Sequence, residues 1–352
     1  MWIKGEYHAN FDSVQEVARG ALDRLDAANA ELAGGQAGLF DRLSWFRNLH
    51  RFCAPRSLPL IVRSRAEHTD MWLFLVYQSR THLKSLTNWY SFHFRPVFTG
   101  DLSSGTRQAL VKGAAKRLRK KFSRITLTAV PQKDGTLELL ESGFGKAGWL
   151  VISDALDTNH YLHLDGRDFA HYWAARPGAL RSTVERKAKK GPVDIVIHDR
   201  FDADAWADYE RVYAQSWKPA EGNPAFLQAL AEAEGAAGAL RLGIAKRDGQ
   251  AVAAQFWTVE NDVANIHKLA HVRDDDNLSP GTLLSQAMFR HVIDKDKVGI
   301  IDFGTGDDAY KRDWMESSDR LYQVDLFNLS KPQSWLPAIR ESLSHLWKSR
   351  SK

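Results

Sequence analysis

The fold is decided between residues 239 and 329, which begin with three apolar runs separated by short polar turns. The runs are LRLGIA at 240–245, AVAAQFWTV at 251–259 and VANIHKLA at 263–270, with the turns KRDG at 246–249 and END at 260–262. Asp-Gly between two apolar runs is the strongest short-range signal for a β-hairpin. These residues therefore predict an antiparallel meander of three strands.

A helix and a further strand are expected after the meander. SPGT at 279–282 opens an apolar helical run, Leu283–Ile293, and a short strand is expected at Gly299–Phe303. The first backbone N–H groups of a helix have no partner within the helix, so they favour an anion such as a phosphate. This order of elements is the one expected of an acyl-CoA transferase core.

Three segments carry a resemblance to a known superfamily: IHKLA at 266–270, SPGTLL at 279–284 and DFGTGDDAYKRDW at 302–314, preceded by a basic helix at 181–190. Through them, residues 170–330 resemble the acetyltransferase domain of the GNAT superfamily, in the CelD/BioF2-like branch related to the FemAB peptidyltransferases. The superfamily's usual pyrophosphate loop has the pattern Arg/Gln-x-x-Gly-x-Gly/Ala. In this chain only Gly281 corresponds to that pattern.

The resemblance implies an α/β fold with two GNAT-like domains in tandem, each a mixed central sheet flanked by helices. The expected division is a degenerate N-terminal domain at residues 1–165 and the acyltransferase domain at residues 166–352. The co-substrate is expected to be acyl-CoA, with an acyl carrier protein as the alternative acyl carrier.

The donor is expected to bind to main-chain amides, since acyl transfer needs a positioned donor and hydrogen bonds to the developing oxyanion. Amides near the end of the third strand would serve the thioester carbonyl, and the same region with the helix start would hold the pyrophosphate. The predicted donor-binding residues are Leu269, Ala270, His271, Val272, Ser279, Gly281 and Thr282.

His267 on the third strand is the first candidate catalytic residue. A histidine with an ordinary pKa can accept a proton from an attacking ammonium. The structural alternative is a strand histidine that only hydrogen-bonds to its neighbours.

Lys311 and Asp302 are the other candidate catalytic residues. Lys311 matches the lysine of a Tyr-Lys or Phe-Lys motif that lies near the reacting centre in FemAB relatives, which implies that it stabilises the tetrahedral intermediate. Asp302, at the end of an apolar strand, or Asp307 would orient the amine or take its proton, and Asp307 and Tyr310 are assigned to the substrate. The alternative is that Asp307 or Asp308 caps the next helix while Lys311 lies in solvent.

Composition limits the class of protein. The chain has 352 residues, is 44% hydrophobic and 26% charged, and contains one cysteine, Cys53. These values are typical of a soluble globular protein and exclude an internal disulfide framework. The N-terminus lacks an apolar segment of signal-peptide length, so a cytoplasmic location is expected. No metal site is predicted, because no motif supplies enough ligands.

The charge is clustered rather than spread. Residues 107–124 hold eight Lys or Arg and no acidic residue, with apolar residues at helical spacing. The alternatives are a solvated face and a contact with anionic lipid headgroups. For the second, the contact residues would be Lys116, Arg117, Lys120 and Lys121, with the protein peripheral on the inner membrane face. Nucleic acid is not expected, because no recognised binding motif accompanies the charge.

The predicted function is acyl-CoA-dependent N-acylation of a primary amine, with a sphingoid base as the specific hypothesis, as in a bacterial ceramide synthase. Two enzymatic alternatives remain: a FemAB-like aminoacyl transferase and a polysaccharide O- or N-acetyltransferase. The long helical hairpin that FemAB proteins insert for tRNA has no counterpart in the sequence. The non-enzymatic alternative is a lipid- or nucleic-acid-binding module.

The remaining pattern predicts further elements of an α/β protein. They are helices at 11–33, 39–52, 107–124, 136–144, 182–190, 206–217 and 224–234, and strands at 58–63, 71–78, 91–97, 124–130, 150–163 and 193–198.

Overall fold

The computed structural model describes residues 14–16, 22, 38–66, 69–100 and 102–350. The strands in this part of the chain are β1 (Val14–Glu16), β2 (Pro59–Ala66), β3 (Thr69–Tyr77), β4 (His82–Ser85), β5 (Val97–Thr99), β6 (Arg124–Pro131), β7 (Leu150–His163), β8 (Asp194–His198), β9 (Leu240–Arg247), β10 (Gln250–Glu260), β11 (Val263–His271), β12 (Ile300–Thr305) and β13 (Ser317–Phe327). The α-helices are α1 (Leu43–Asn48), α2 (Ser104–Lys121), α3 (Thr136–Gly145), α4 (Phe169–Ala174), α5 (Gly178–Lys190), α6 (Ala203–Ala214), α7 (Pro224–Ala236), α8 (Pro280–Asp294), α9 (Ala309–Trp314) and α10 (Trp335–Arg350).

These elements form two compact units. The first comprises the described residues up to Asp157 and those from Asp319 onward, and the second comprises Thr158–Ser318. Residues from Asp319 onward, which the sequence-based division places in the second domain, lie in the first unit, because β13 pairs with β6 from Leu321 to Phe327. The predicted fold class, mixed sheets flanked by helices, is confirmed.

The first unit contains the strands in the order β1–β2–β3–β4–β6–β13. Outside this order, β5 pairs with Asp70–Trp72 of β3. The pairing of β4 with β6 is parallel, and the other pairings are antiparallel. Helix α2 is capped by Ser103, whose hydroxyl accepts a hydrogen bond from the Thr106 amide at 3.2 Å. This cap starts the basic helix where the sequence changes from loop to helical periodicity.

Part of the first unit differs from the sequence-based expectation. The predicted helix at 11–33 falls mostly outside the described residues, but residues 14–16 form a strand rather than a helix, because they pair with residues 60–62 of β2. The predicted strand at 91–97 is absent from this described segment, where only Val97–Thr99 is a strand. The sequence pattern does not predict β13 or α10.

The second unit has the strand order β7–β12–β11–β10–β9–β8, and β7 belongs to it from Thr158. The predicted meander is confirmed. Both of its turns have two central residues with positive φ, at 50° and 78° for Asp248 and Gly249 and at 44° and 68° for Asn261 and Asp262. Such turns match the right-handed twist of paired strands, so they close tight hairpins.

Strand β10 lies at the centre of this sheet and is buried from Ala251 to Thr258. Helices α6 and α8 pack against it, so both faces of the strand are covered and its sequence is apolar rather than alternating. On the α8 side, Trp257 packs edge-on against Phe289 at 5.3 Å, and Tyr172 stacks on Phe289 at 5.4 Å. This aromatic core fixes α8 against the sheet.

Candidate functional site

Two neighbouring parallel strands separate in the middle of the second unit. Strands β11 and β12 pair only from Val263 to Asn265, opposite Ile300 to Asp302. Beyond that point β11 continues to His271 along β10, while β12 continues to Thr305, which pairs with Asn159 of β7. One edge of β11 therefore diverges from β12 after Asn265, which leaves a gap in the pairing of the two strands.

The predicted donor-binding residues lie along this gap and at the start of α8. Leu269 and Ala270 belong to the separated part of β11, whereas the Val272 amide donates to the Val252 carbonyl at 2.9 Å. Ser279, in the left-handed conformation, caps α8, and its carbonyl accepts from the amides of Thr282 and Leu283. The structure brings His271 and Gly281 together, because a Cβ on Gly281 would lie 3.0 Å from the His271 Nδ1 atom.

A buried amide holds the start of α8 over the sheet. The Gln255 Nε2 atom donates to the Gly281 carbonyl at 3.2 Å and to the Ser285 hydroxyl at 2.7 Å. Its Oε1 atom accepts from the Trp257 indole at 3.0 Å. Gln255 is completely buried, and a buried amide is stabilising only when it is hydrogen-bonded. The network therefore fixes where the first turn of α8 lies relative to β10.

A β-bulge in β11 redirects two side chains of the predicted site. The register with β10 shifts between Phe256, opposite Lys268, and Trp257, opposite Ile266, which leaves His267 as the extra residue. The His267 ring lies 5.0 Å from the Phe256 ring, and Nε2 is 2.9 Å from the Thr258 hydroxyl. Burial, together with the charge of Lys268, lowers the pKa of His267 to about 3. A bulge re-aims side chains, and here both His267 and Lys268 contact residues on the α6 side.

The Lys268 side chain contacts the end of α6 and the loop that joins α6 to α7. Its Nζ atom is 2.7 Å from a Glu221 carboxylate oxygen and 5.6 Å from the centre of the Tyr213 ring. Burial, with the nearby Glu221 carboxylate, raises the pKa of Tyr213 to about 12.

Three lysines from different elements share one locality. Lys218 lies in the loop after α6, Lys268 in β11 and Lys311 in α9. Burial lowers the pKa of Lys218 to about 8, and the positive charges of Lys268 and Lys311 lower it further toward that value. Ammonium groups whose positive charges act on one another favour an anionic ligand such as a phosphate or a developing oxyanion.

Lys311 is buried rather than solvated. Its Nζ atom donates to the carbonyls of Phe303 at 3.5 Å, Gly304 at 3.3 Å and Thr305. Lys311 therefore also fastens the end of β12, in addition to placing a positive charge beside Lys218.

Asp302 and Asp307 occupy different surroundings. The Asp302 carboxylate accepts from the Asn159 side chain at 3.0 Å and from the Gly304 amide at 2.8 Å, at the point where β11 and β12 separate. Asp307 is exposed and lies between Arg312 at 2.7 Å and His160 at 2.9 Å. Hydrogen bonds from these two side chains lower the pKa of Asp307.

Tyr310 packs edge-on against Phe303, with ring centres 5.7 Å apart, and remains 40% exposed.

The predicted membrane contacts are exposed on α2 in the first unit. They are Lys116, Arg117, Lys120 and Lys121. In the described part of the chain, no group of three or more His, Cys, Asp or Glu side chains is placed to hold a metal ion. Over the same residues, no helix has the length and apolar character needed to span a bilayer.

A cavity of about 450 Å³ opens between α6, α7 and the loop that joins them. Aromatic rings and aliphatic side chains form most of its wall, with three charged groups among them. The lining residues are Trp206, Tyr209, Glu210, Tyr213, Ala214, Lys218, Ala220, Glu221, Pro224 and Leu227. A cavity with few polar groups in an apolar wall is typical of a small-molecule site.

Sequence patterns miss the cavity and its charged residues. Lys218 and Glu221 lie in a loop without periodicity, and the Glu221–Lys268 ion pair brings this loop to β11. Lys268 lies within the IHKLA segment, but an alternating strand would direct it away from His267. The bulge, which the sequence does not signal, places both on the same side.

Comparisons with known proteins agree with this geometry. Residues 177–312 match the family model described as Acetyltransferase (GNAT) domain. The match lies within the second unit and includes the meander, the start of α8, the separated strands and Lys311. No curated protein sequence gives a significant match to the chain.

Solved structures are similar over most of the chain. The C-terminal domain of an Agrobacterium fabrum protein assigned as a lysylphosphatidylglycerol synthetase has a TM-score of 0.57 at 12% identity, covering 92% of this chain and 95% of its own. FemX has a TM-score of 0.59 at 10% identity, covering 85% and 95%. L-PGS from Bacillus licheniformis has a TM-score of 0.55 at 11% identity, covering 96% and 99%. At these identities the likeness shows a shared fold.

Proposed function

We propose that the second unit transfers an activated acyl group to a primary amine, and that the group transferred is an aminoacyl group. The observation that carries the transfer reaction is the separation of β11 from β12 at Asn265 and Asp302, beside the start of α8 and within the segment that matches a GNAT domain. Main-chain amides at such a gap are positioned for a carbonyl oxygen, and a helix start favours phosphate.

The aminoacyl assignment is supported by the kind of protein that shares the fold across nearly the whole chain. FemX, L-PGS and the C-terminal domain assigned as a lysylphosphatidylglycerol synthetase cover 85–96% of the chain, whereas the GNAT family model matches only residues 177–312. The three-lysine cluster is also suited to a phosphate-rich donor such as aminoacyl-tRNA.

The cavity between α6 and α7 is the proposed acceptor site. The Glu221 carboxylate and the rings of Trp206 and Tyr213 provide an anion and aromatic faces, both of which attract an ammonium group. Lys218, with a pKa of about 8, is partly deprotonated near neutral pH and is proposed to take the proton that the amine loses. His267, with a pKa of about 3, is a weak base by comparison.

In the proposed reaction, the neutral amine attacks the acyl carbonyl and forms an amide bond while the bond to the carrier oxygen breaks. The amine proton passes to neutral Lys218, which then gives it to the carrier oxygen as the carrier leaves, so that Lys218 is neutral again. The charge of Lys311 is proposed to stabilise the tetrahedral intermediate, a contact that typically contributes about 3 kcal/mol.

The second candidate is acyl-CoA-dependent N-acylation, with a sphingoid base as the specific acceptor. The description of the matching family as an acetyltransferase favours it. The chemistry at the acceptor is the same, but the bond that breaks is a thioester and the leaving group is the CoA thiol.

One experiment separates the two donors. The full chain is incubated with an amine panel that includes a lysine peptide and sphinganine, and with either a labelled aminoacyl-tRNA pool or acyl-CoA of several chain lengths. Transfer of label from tRNA, without release of CoA thiol, is the expected result. Thiol release without transfer from tRNA would replace the first candidate by the second, and a folded protein inactive with both donors would overturn the transfer reaction.

A further inference from the structure

Helix α10 presents an apolar face to the solvent. Four large apolar side chains are between 53% and 81% exposed, and at 100° per residue they fall within a sector of roughly 100°. They are Trp335, Leu336, Ile339 and Leu343.

The opposite face of α10, which packs on the first unit, is small and polar. Ala338 is buried there, the Glu341 carboxylate lies 3.6 Å from Arg124, and the His345 Nδ1 atom lies 2.7 Å from the Asp154 carboxylate. A helix on a globular surface normally buries its apolar face and exposes its polar one. In α10 this order is reversed, so the polar contacts attach the helix and leave the apolar face available to a partner.

Basic side chains lie next to the start of this helix. The Asn328 side chain donates to the carbonyls of Arg119 and Phe122, at 2.7 Å and 2.9 Å, so the end of α2 contacts the segment that leads into α10. The last two turns of α2 expose Lys116, Arg117, Lys120 and Lys121, and α10 itself exposes Arg340.

We propose that the outer face of α10 and the basic end of α2 form one docking surface for a bilayer that contains anionic lipids. An apolar stripe that begins at a tryptophan suits the headgroup boundary, where a helix of 16 residues, about 24 Å long, lies flat. The neighbouring lysines add attraction to lipid phosphates. The same charges disfavour a second copy of this chain as the occupant, because two identical basic regions would repel each other.

The test is co-sedimentation of the full chain with vesicles of phosphatidylcholine alone or mixed with phosphatidylglycerol. The Leu336→Gln/Leu343→Gln double variant removes two exposed side chains from the apolar stripe. The matched control is Leu156→Gln/Val196→Gln, which changes two half-exposed apolar residues elsewhere. Thermal melting checks that each variant is folded.

The wild type and the control are expected to bind the anionic vesicles, and the helix variant to bind about tenfold or more weakly, because less apolar area enters the interface. Lys116→Gln/Lys120→Gln is expected to weaken binding to the anionic vesicles, as added salt does, with little effect on phosphatidylcholine alone. Equal binding of the helix variant and the control would overturn the proposal, as would a folded wild type that does not sediment. A micromolar dimer that the helix variant dissociates would also overturn it in favour of a second copy.

Discussion

Replacement of Lys311 by methionine tests whether one buried charge both fastens β12 and serves the reaction. Lys311 is 4% exposed, and its ammonium group donates to the carbonyls of Phe303, Gly304 and Thr305. Methionine has a similar length and fits an apolar environment, but it cannot donate to these carbonyls.

The expected loss of stability follows from these hydrogen bonds. A hydrogen bond from a charged donor contributes about 1.5–3 kcal/mol. The three carbonyls share one ammonium group, however, and the methionine variant no longer has to bury that charge, which offsets part of the loss. We therefore expect the free energy of unfolding to fall by about 2 kcal/mol. The Arg312→Met variant is the control, since Arg312 is an exposed cation on the same helix, paired with exposed Asp307, and it should leave the melting temperature unchanged.

The kinetic consequence is measured at a temperature where both variants are fully folded. If the charge of Lys311 stabilises the tetrahedral intermediate, kcat of Lys311→Met falls about tenfold or more while KM for the amine changes little. The pKa of Lys218 should also rise above about 8, because one of the two neighbouring positive charges that lower it is gone. An unchanged kcat in a folded Lys311→Met protein would remove this residue from the mechanism, and an unchanged stability would contradict its role at the end of β12.

Four further predictions concern the same unit. Lys268→Met should raise the pKa of Lys218, measured by mass spectrometry of the pH dependence of its acylation by acetic anhydride; an unchanged profile would contradict the proximity of the two ammonium groups. Glu221→Gln should raise KM for the amine about tenfold with a nearly constant kcat, and a fall in kcat alone would exclude a binding role. Gln255→Leu should lower the free energy of unfolding by about 1–3 kcal/mol, because it leaves the Trp257 indole and the start of α8 without their partner; an unchanged denaturation midpoint would contradict this. The folded protein binds no proton at His267 between pH 6.5 and about 3, whereas the unfolded chain does, so stability should fall as pH falls through this window, and His267→Gln should reduce the loss between pH 7 and 5 by about 1–2 kcal/mol in urea titrations.

The meander and the helix start could be predicted because their signals are local. The Asp248-Gly249 turn requires positive φ at both central residues, and Ser279-Pro280 fixes the start of α8 within a few residues. Asp302 could be selected because it ends an apolar strand that the pattern marks, and Lys311 because it matches a motif of the FemAB relatives. The contacts of these two side chains could not be predicted, since they depend on how β12 turns toward β7. The Asp302 carboxylate accepts from the Asn159 side chain and the Gly304 amide, and the Lys311 ammonium donates to three carbonyls.

Burial and long-range contact decided the remaining features of the site. The low pKa of His267 follows from packing against Phe256 and Thr258 of the neighbouring strand. The low pKa of Lys218 depends on charges from β11 and α9, which lie far along the chain. Sequence patterns cannot give such values, because desolvation depends on the tertiary surroundings of each group.

The sequence by itself determined the class of fold, the order of the meander, helix and crossover strand, and the basic character of α2, because turn chemistry, periodicity and charge act over a few residues. Only the tertiary structure decided that β11 and β12 separate after three paired residues, that a bulge brings Lys268 to Glu221, and that α10 attaches through its polar face. Each of these depends on contacts between residues distant in the chain, whose free energy is realised only when the whole unit is packed.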